Sequence, residues 1–163
     1  MTVREVTSIL ESFAPLAFQE DYDNSGLIVG DANMEVTGVL LTIDVTPQVV
    51  AEAVAGGANL IVAHHPVIFK GLKRITGKSY VEQVVVNAIK NNIAIYAAHT
   101  NIDSVQGGVS FKMAEVLGLT STHVLSPLTG QLVKLVTFVP TEYAEAVRQA
   151  MFNAGAGVIG NYD

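Results

Sequence analysis

Asn59-Leu60-Ile61-Val62-Ala63 runs straight into His64-His65-Pro66, and Ile93-Ala94-Ile95-Tyr96-Ala97-Ala98 runs straight into His99-Thr100-Asn101-Ile102-Asp103. Unbroken apolar runs of this length are the pattern of strands buried on both faces, as in parallel sheets. A third such run, Gly38-Val39-Leu40-Leu41-Thr42-Ile43, ends in Asp44. Helix signals lie between them. Thr46 caps a helix with Pro47 at its first position, and Gly56-Gly57 stops it. Ser79 with Glu82 makes a capping box, opening a helix with Val81, Val84, Val85, Ala88 and Ile89 on one face. A further helix is predicted from about Val109 to Leu117, closing at Gly118. At the start, Thr2 and Glu5 form another capping box, and Val3, Val6, Leu10 and Phe13 repeat at helical spacing up to Pro15. A polar loop holding Asp21-Tyr22-Asp23-Asn24-Ser25-Gly26 follows. This alternation predicts an α/β fold: a three-layer domain on a parallel sheet with right-handed crossovers.

In parallel sheets, ligand sites form beyond the carboxyl ends of the strands. Asp44, the pair His64 and His65, and the segment from His99 to Asp103 all fall at such ends, so three strands deliver polar groups to one rim. A single histidine at a strand end is more often packed or solvated than a ligand. Two histidine-bearing clusters at neighbouring strand ends favour a metal, since imidazoles taken out of water need partners. Asp103 adds a carboxylate able to bind one ion or bridge two. Asp44 has two readings, a hydrogen bond to a ligating imidazole or the mere end of its strand.

Composition narrows the classes. Of 163 residues, 50% are hydrophobic and 15% charged, which suits one domain with a sizeable core, or one domain with a small appendage. The net charge of -6, without a Lys/Arg-rich run, argues against nucleic-acid backbone binding and against anionic membranes. The chain has no cysteine, so disulfides, thiolate zinc sites and thiol catalysis are excluded, and a metal here takes nitrogen and oxygen ligands. The start lacks a signal-peptide core and no run reaches membrane-spanning length, so a cytoplasmic location is expected. The glycines from Gly155 to Gly160 lack the Gly-Lys-Ser/Thr tail of a phosphate loop and read as turns, as do Gly107-Gly108. Lys70, Lys73 and Arg74 read first as a solvated loop and second as a phosphate contact. Ser104 and Thr100 lack the base and orienter of a serine-type triad. His123 lies away from the motifs.

The stretches Ile43-Asp44-Val45-Thr46, Ala63-His64-His65-Pro66-Val67-Ile68-Phe69 and His99-Thr100-Asn101-Ile102-Asp103 resemble the dinuclear metal-centre family of GTP cyclohydrolase I type 2 homologues, also described as NGG-interacting-factor-like. Asp23-Asn24-Ser25-Gly26-Leu27-Ile28-Val29-Gly30 resembles its upstream signature, with Tyr22 where a tryptophan is usual. The likeness covers residues 1 to about 120. It implies that His64, His65 and Asp103 are metal ligands of a centre of two divalent ions (zinc, iron or manganese). It implies that His99 lies beside that centre, in contact with metal or substrate, with a catalytic role in shuttling a proton or positioning the base. It also implies a metal-dependent hydrolase that activates water, a small-molecule substrate of nucleotide type, and a homo-oligomer, often a hexameric ring. A non-catalytic, metal-dependent regulatory or ligand-binding scaffold is the alternative.

One departure stands out. The family completes its site with a histidine and a glutamate from a C-terminal segment that this chain does not contain. After residue 127 the chain reads as a strand from Leu132 to Val139 and a helix capped by Thr141 with Tyr143, Val147, Ala150 and Met151. This resembles the start of an inserted ferredoxin-like α+β domain of the PII and CutA type. The expected organisation is thus a metal-binding α/β domain over 1–127, half of the family's full domain, and a truncated insert over 128–163, within a protein roughly twice as long.

Overall fold

The computed structural model describes residues 1–127 and 134–157. They fall into two units, 1–122 and 123–163, and the first carries the sheet. Its helices are α1 (Val3–Phe13), α2 (Pro47–Ala55), α3 (Tyr80–Lys90), α4 (Thr100–Ser104) and α5 (Val109–Val116), and its strands are β1 (Gly26–Val29), β2 (Val39–Thr42), β3 (Leu60–Ala63) and β4 (Ala94–Ala97).

The capping signals act as the sequence predicts at α1 and α2. The Thr2 hydroxyl accepts from the Glu5 amide at 3.3 Å, and the Glu5 carboxylate accepts from the Thr2 amide at 2.7 Å. Thr46 accepts from the Val49 amide with Pro47 in the first turn, and Gly56 ends α2. At α3 the box is half formed. Ser79 accepts from the Glu82 amide, but the Glu82 carboxylate turns to the amides of Thr76 and Lys78 and the hydroxyls of Thr76 and Ser79. Those loop donors outcompete the Ser79 amide. Ile89, placed by its spacing on the apolar face of α3, is exposed, and Val84, Val85 and Ala88 do the packing.

The sheet order is β1-β4-β3-β2. β2, β3 and β4 are parallel and in sequence, with α2 and α3 as the connections. Side chains alternate across β3 and β4. Ile61, Ala63 and Ile95 join Val50, Ala53, Val84, Val85 and Ala88 in one core, while Leu60, Ala94 and Tyr96 join Val3, Val6 and Leu10 in the other. Helices thus cover both faces, which gives the three layers and explains why these strands are apolar throughout. Burying one such Leu or Ile side chain contributes about 1.5–3 kcal/mol, and Leu60, Ile61 and Ile95 are each fully buried.

The sheet is mixed where the sequence predicts a parallel one. The polar loop expected up to Gly26 gives way at that residue to β1, which runs antiparallel to β4 with Gly26 opposite Ala97. Gly30 ends it with φ +109°, and a Cβ there would lie 2.7 Å from the Cα of Ala94, so only glycine lets the chain leave β4 so closely. Because β1 runs the other way, its beginning lies at the rim where β3 and β4 end. Asp23 is thereby brought to that rim.

In the second unit a short 3₁₀ turn (Thr141–Tyr143) leads into α6 (Ala144–Asn153). Thr141 does not cap it; Tyr143 precedes the helix without a side-chain cap. Residues 134–140 form no strand, and residues 132–133 of the expected strand, like 158–163 of the glycine-rich ending, lie outside the described residues. A strand needs a hydrogen-bonded neighbour, and the described part of this unit offers none. The ferredoxin-like insert therefore stays a proposal. Among the described residues no helix is long and apolar enough to cross a membrane.

Candidate metal centre

His64 and His65 leave the end of β3 side by side. Their amides continue the ladder with β2, donating to the carbonyls of Thr42 at 3.1 Å and Ile43 at 2.9 Å, until Pro66 breaks it. Their rings come together, with centroids 4.9 Å apart. His99, at the end of β4, places its ring 5.2 Å from that of His64 and 5.6 Å from that of His65. One ring nitrogen from each of the three lies within 4.8 Å of the others, a group able to hold a metal ion.

The Nδ1 atoms decide which nitrogens face the centre. His64 Nδ1 lies 3.0 Å from the carbonyl of Ala98, His65 Nδ1 lies 2.8 Å from Asp44 Oδ1, and His99 Nδ1 lies 2.8 Å from Asp23 Oδ1. All three partners only accept, so each Nδ1 donates, and in a neutral ring that places the lone pair on Nε2. Among the described residues no donor engages any of these Nε2 atoms. Three acceptors converging in this way suit a cation, and oriented imidazoles with a carboxylate or carbonyl behind them are the usual setting of a metal ligand. The residues fit a divalent ion with nitrogen and oxygen ligands.

Asp23 is the anchor. Its side chain is 0% exposed. Besides His99 it accepts from the amides of Asn24 at 2.6 Å and Thr100 at 3.0 Å, from the Ser25 hydroxyl at 2.9 Å, and from the Thr100 hydroxyl in a short contact. Burial pushes its pKa up, but hydrogen bonds from Thr100, His99 and Asn24 outweigh that and hold it well below the usual carboxylate range. Asn101, also fully buried, accepts from the His99 amide at 2.9 Å and donates to the Ala14 carbonyl at 2.7 Å, pinning the backbone around α4. Gly107 with φ +80° and Gly108, where a Cβ would meet the Ile102 carbonyl oxygen at 1.9 Å, make the tight turn the sequence favoured.

Of the predicted site residues, the structure groups His64, His65 and His99. Asp103 stands outside that group, with Oδ2 3.8 Å from His64 Nε2. His99, expected beside the centre, has the same geometry as the two expected ligands. Asp44 takes the first of its two readings, a hydrogen bond to His65. Sequence reasoning missed Asp23 and Asn101 as site residues, although both sit inside the quoted motifs. Lys70, Lys73 and Arg74 are exposed, and among the described residues none pairs with a carboxylate.

A model of the Duf34/NIF3 (NGG1p interacting factor 3) family matches residues 1–163. The chain belongs to this family. It is 42% identical over 160 residues to a Bacillus subtilis protein named GTP cyclohydrolase 1 type 2 homolog, a match covering 98% of this chain and 43% of that one. Among solved structures, a Bacillus cereus protein related to NIF3 matches with a TM-score of 0.75 and 43% identity, over 99% of this chain and 45% of that one. Reduced HcgD from Methanocaldococcus jannaschii matches with a TM-score of 0.68 and 28% identity, over 74% of this chain and 48% of that one. The chain thus spans less than half the length of these Bacillus relatives.

Proposed function

We propose that this family member is a metal-dependent hydrolase whose centre is built on His64, His65 and His99. The observation that carries the reading is that every Nδ1 is engaged by an acceptor while one ring nitrogen of each histidine lies within 4.8 Å of the others, which leaves the Nε2 atoms as the donors to an ion. Asp103, near His64 Nε2, supplies the carboxylate that would join that ion or bridge to a second, as the expected centre of two ions requires. A divalent ion held there would polarise a substrate oxygen and activate water for hydrolysis.

The residues of this chain do the rest. Asp44 and Asp23 orient the imidazoles of His65 and His99 and favour the positive charge that builds on them. Thr100 and Asn101 keep Asp23 and the backbone of His99 from moving. His99 is held from Nδ1, so its Nε2 serves either to hold the ion or to move a proton, and its grouping with His64 and His65 favours the first. A substrate of nucleotide type is supported by the relatives' name, GTP cyclohydrolase 1 type 2 homolog, and by the unpaired cations of the 70–74 loop. The hexameric ring rests on the family resemblance alone.

The test is metal-dependent formate release from GTP, run beside a His64→Ala, His65→Ala double variant. Release that needs the metal and vanishes in the variant supports the hydrolase. Metal bound in full with no formate released would leave the regulatory scaffold as the better account.

A further inference from the structure

Tyr22 and Phe69 form an exposed aromatic pair beside the histidine group. Their rings are nearly parallel, at 24° with centroids 6.5 Å apart, and the Phe69 ring meets His99 edge-on at 5.8 Å. Tyr22 is 66% exposed and Phe69 48% exposed, so neither serves a core. Their backbones are nonetheless fixed. Tyr22 precedes Asp23, whose carboxylate is buried against His99 and Thr100, and the Asn24 side chain donates to the Ile68 carbonyl at 2.7 Å, tying one loop to the other. Two exposed, nearly parallel rings on fixed backbones next to polar chemistry are arranged for a third.

We propose that Tyr22 and Phe69 are a stacking subsite for a planar heteroaromatic ring, the part of the substrate that the centre acts beside. Carbon planes in contact lie about 3.5–4.0 Å apart, so a ring inserted between two others needs about 7–8 Å, a little more than the pair now leaves. Exposed side chains with two torsions give that much. A ring stacked outside the pair would need no opening at all. A ring seated between the two, or on the Phe69 face of the pair, lies against Phe69, whose ring meets His99. Stacking reads a flat π-face and not a particular base, so the subsite selects the class of molecule while the centre selects the bond. The purpose of the subsite rests on the hydrolase reading, but its binding step needs only the two rings.

The experiment is a titration of the chain with inosine, followed by ring-proton shifts of Tyr22 and Phe69, with ribose as the non-aromatic control. It is run once with zinc and once after chelation. Inosine should shift both rings in both arms and ribose neither. A Tyr22→Leu, Phe69→Leu variant should bind inosine about tenfold more weakly or worse for each ring lost, with its zinc content unchanged. A Tyr22→Phe, Phe69→Tyr variant, which keeps two rings, should bind like the native chain. Inosine binding equally well to the leucine variant, or not at all to the native chain, overturns the proposal. Stacking that persists in a chain that takes up no zinc would remove the hydrolase reading and leave the subsite standing.

Discussion

His99 Nδ1 and Asp23 Oδ1 stand 2.8 Å apart, joined across 76 residues of chain by the antiparallel pairing of β1 with β4. One is exposed at 15% and the other not at all, so this contact forms the dry wall of the histidine group.

Asp23→Asn keeps the shape and removes the charge that five donors share. It should destabilise the chain by about 2–3 kcal/mol, the scale of hydrogen bonds to a buried charged acceptor, and weaken metal binding roughly 10–100-fold. Denaturant unfolding and metal competition measure the two effects. Unchanged stability and affinity would mean that Asp23 does not organise the rim.

Asp44 and His65 make the contrasting pair, with side chains 67% and 48% exposed. Asp44→Ala should change stability by less than about 1 kcal/mol, the upper scale even of exposed charged pairs, yet reduce metal affinity about tenfold by freeing the His65 ring. A loss of stability larger than the loss of affinity would count against an orienting role.

Much of this arrangement is legible before folding. β3 and β4 announce themselves by unbroken apolar runs because both their faces are buried, β2 carries such a run although Val39 and Leu41 are exposed, and the polar residues at the three ends then fall on one rim. β1 does not announce itself. Leu27 to Val29 are three residues between Gly26 and Gly30, and the partner of that strand, β4, is chosen by tertiary packing. With no strand expected there, the approach of Asp23 to His99 stayed hidden. The five-residue α4 is too short for a periodic signal, and nothing local says that Glu82 will prefer Thr76 and Lys78 to the Ser79 amide.

Glu82 also carries a pH dependence. Hydrogen bonds from the Thr76 side chain, then from the Thr76 and Lys78 amides, lower its pKa from 4.5 to about 2. A carboxylate with a depressed folded value lends its support fully above the ordinary value and loses it as pH falls through the folded one. The Thr76 and Lys78 amide resonances should therefore titrate with a midpoint near 2, and Glu82→Gln should abolish the transition. A midpoint near 4.5 would show that these bonds do not hold the loop in solution.

Tyr96 lies fully buried in β4, and its hydroxyl, which has the Glu11 carboxylate nearby, makes no well-formed hydrogen bond among the described residues. A buried polar group without a partner costs about 1–3 kcal/mol. Tyr96→Phe should raise the unfolding free energy by about 1 kcal/mol, read by denaturant melting. A clear loss would reveal a partner for the hydroxyl in solution.

The central claim is that His64, His65 and His99 present unprotonated Nε2 atoms to one ion, and long-range proton–nitrogen NMR of the histidine side chains during a zinc titration tests it most directly. The account predicts that all three carry the proton on Nδ1 before zinc is added, and that their three Nε2 resonances move together and saturate at the first equivalent. Protonated Nε2 atoms, or rings that respond to zinc one at a time or not at all, would contradict it.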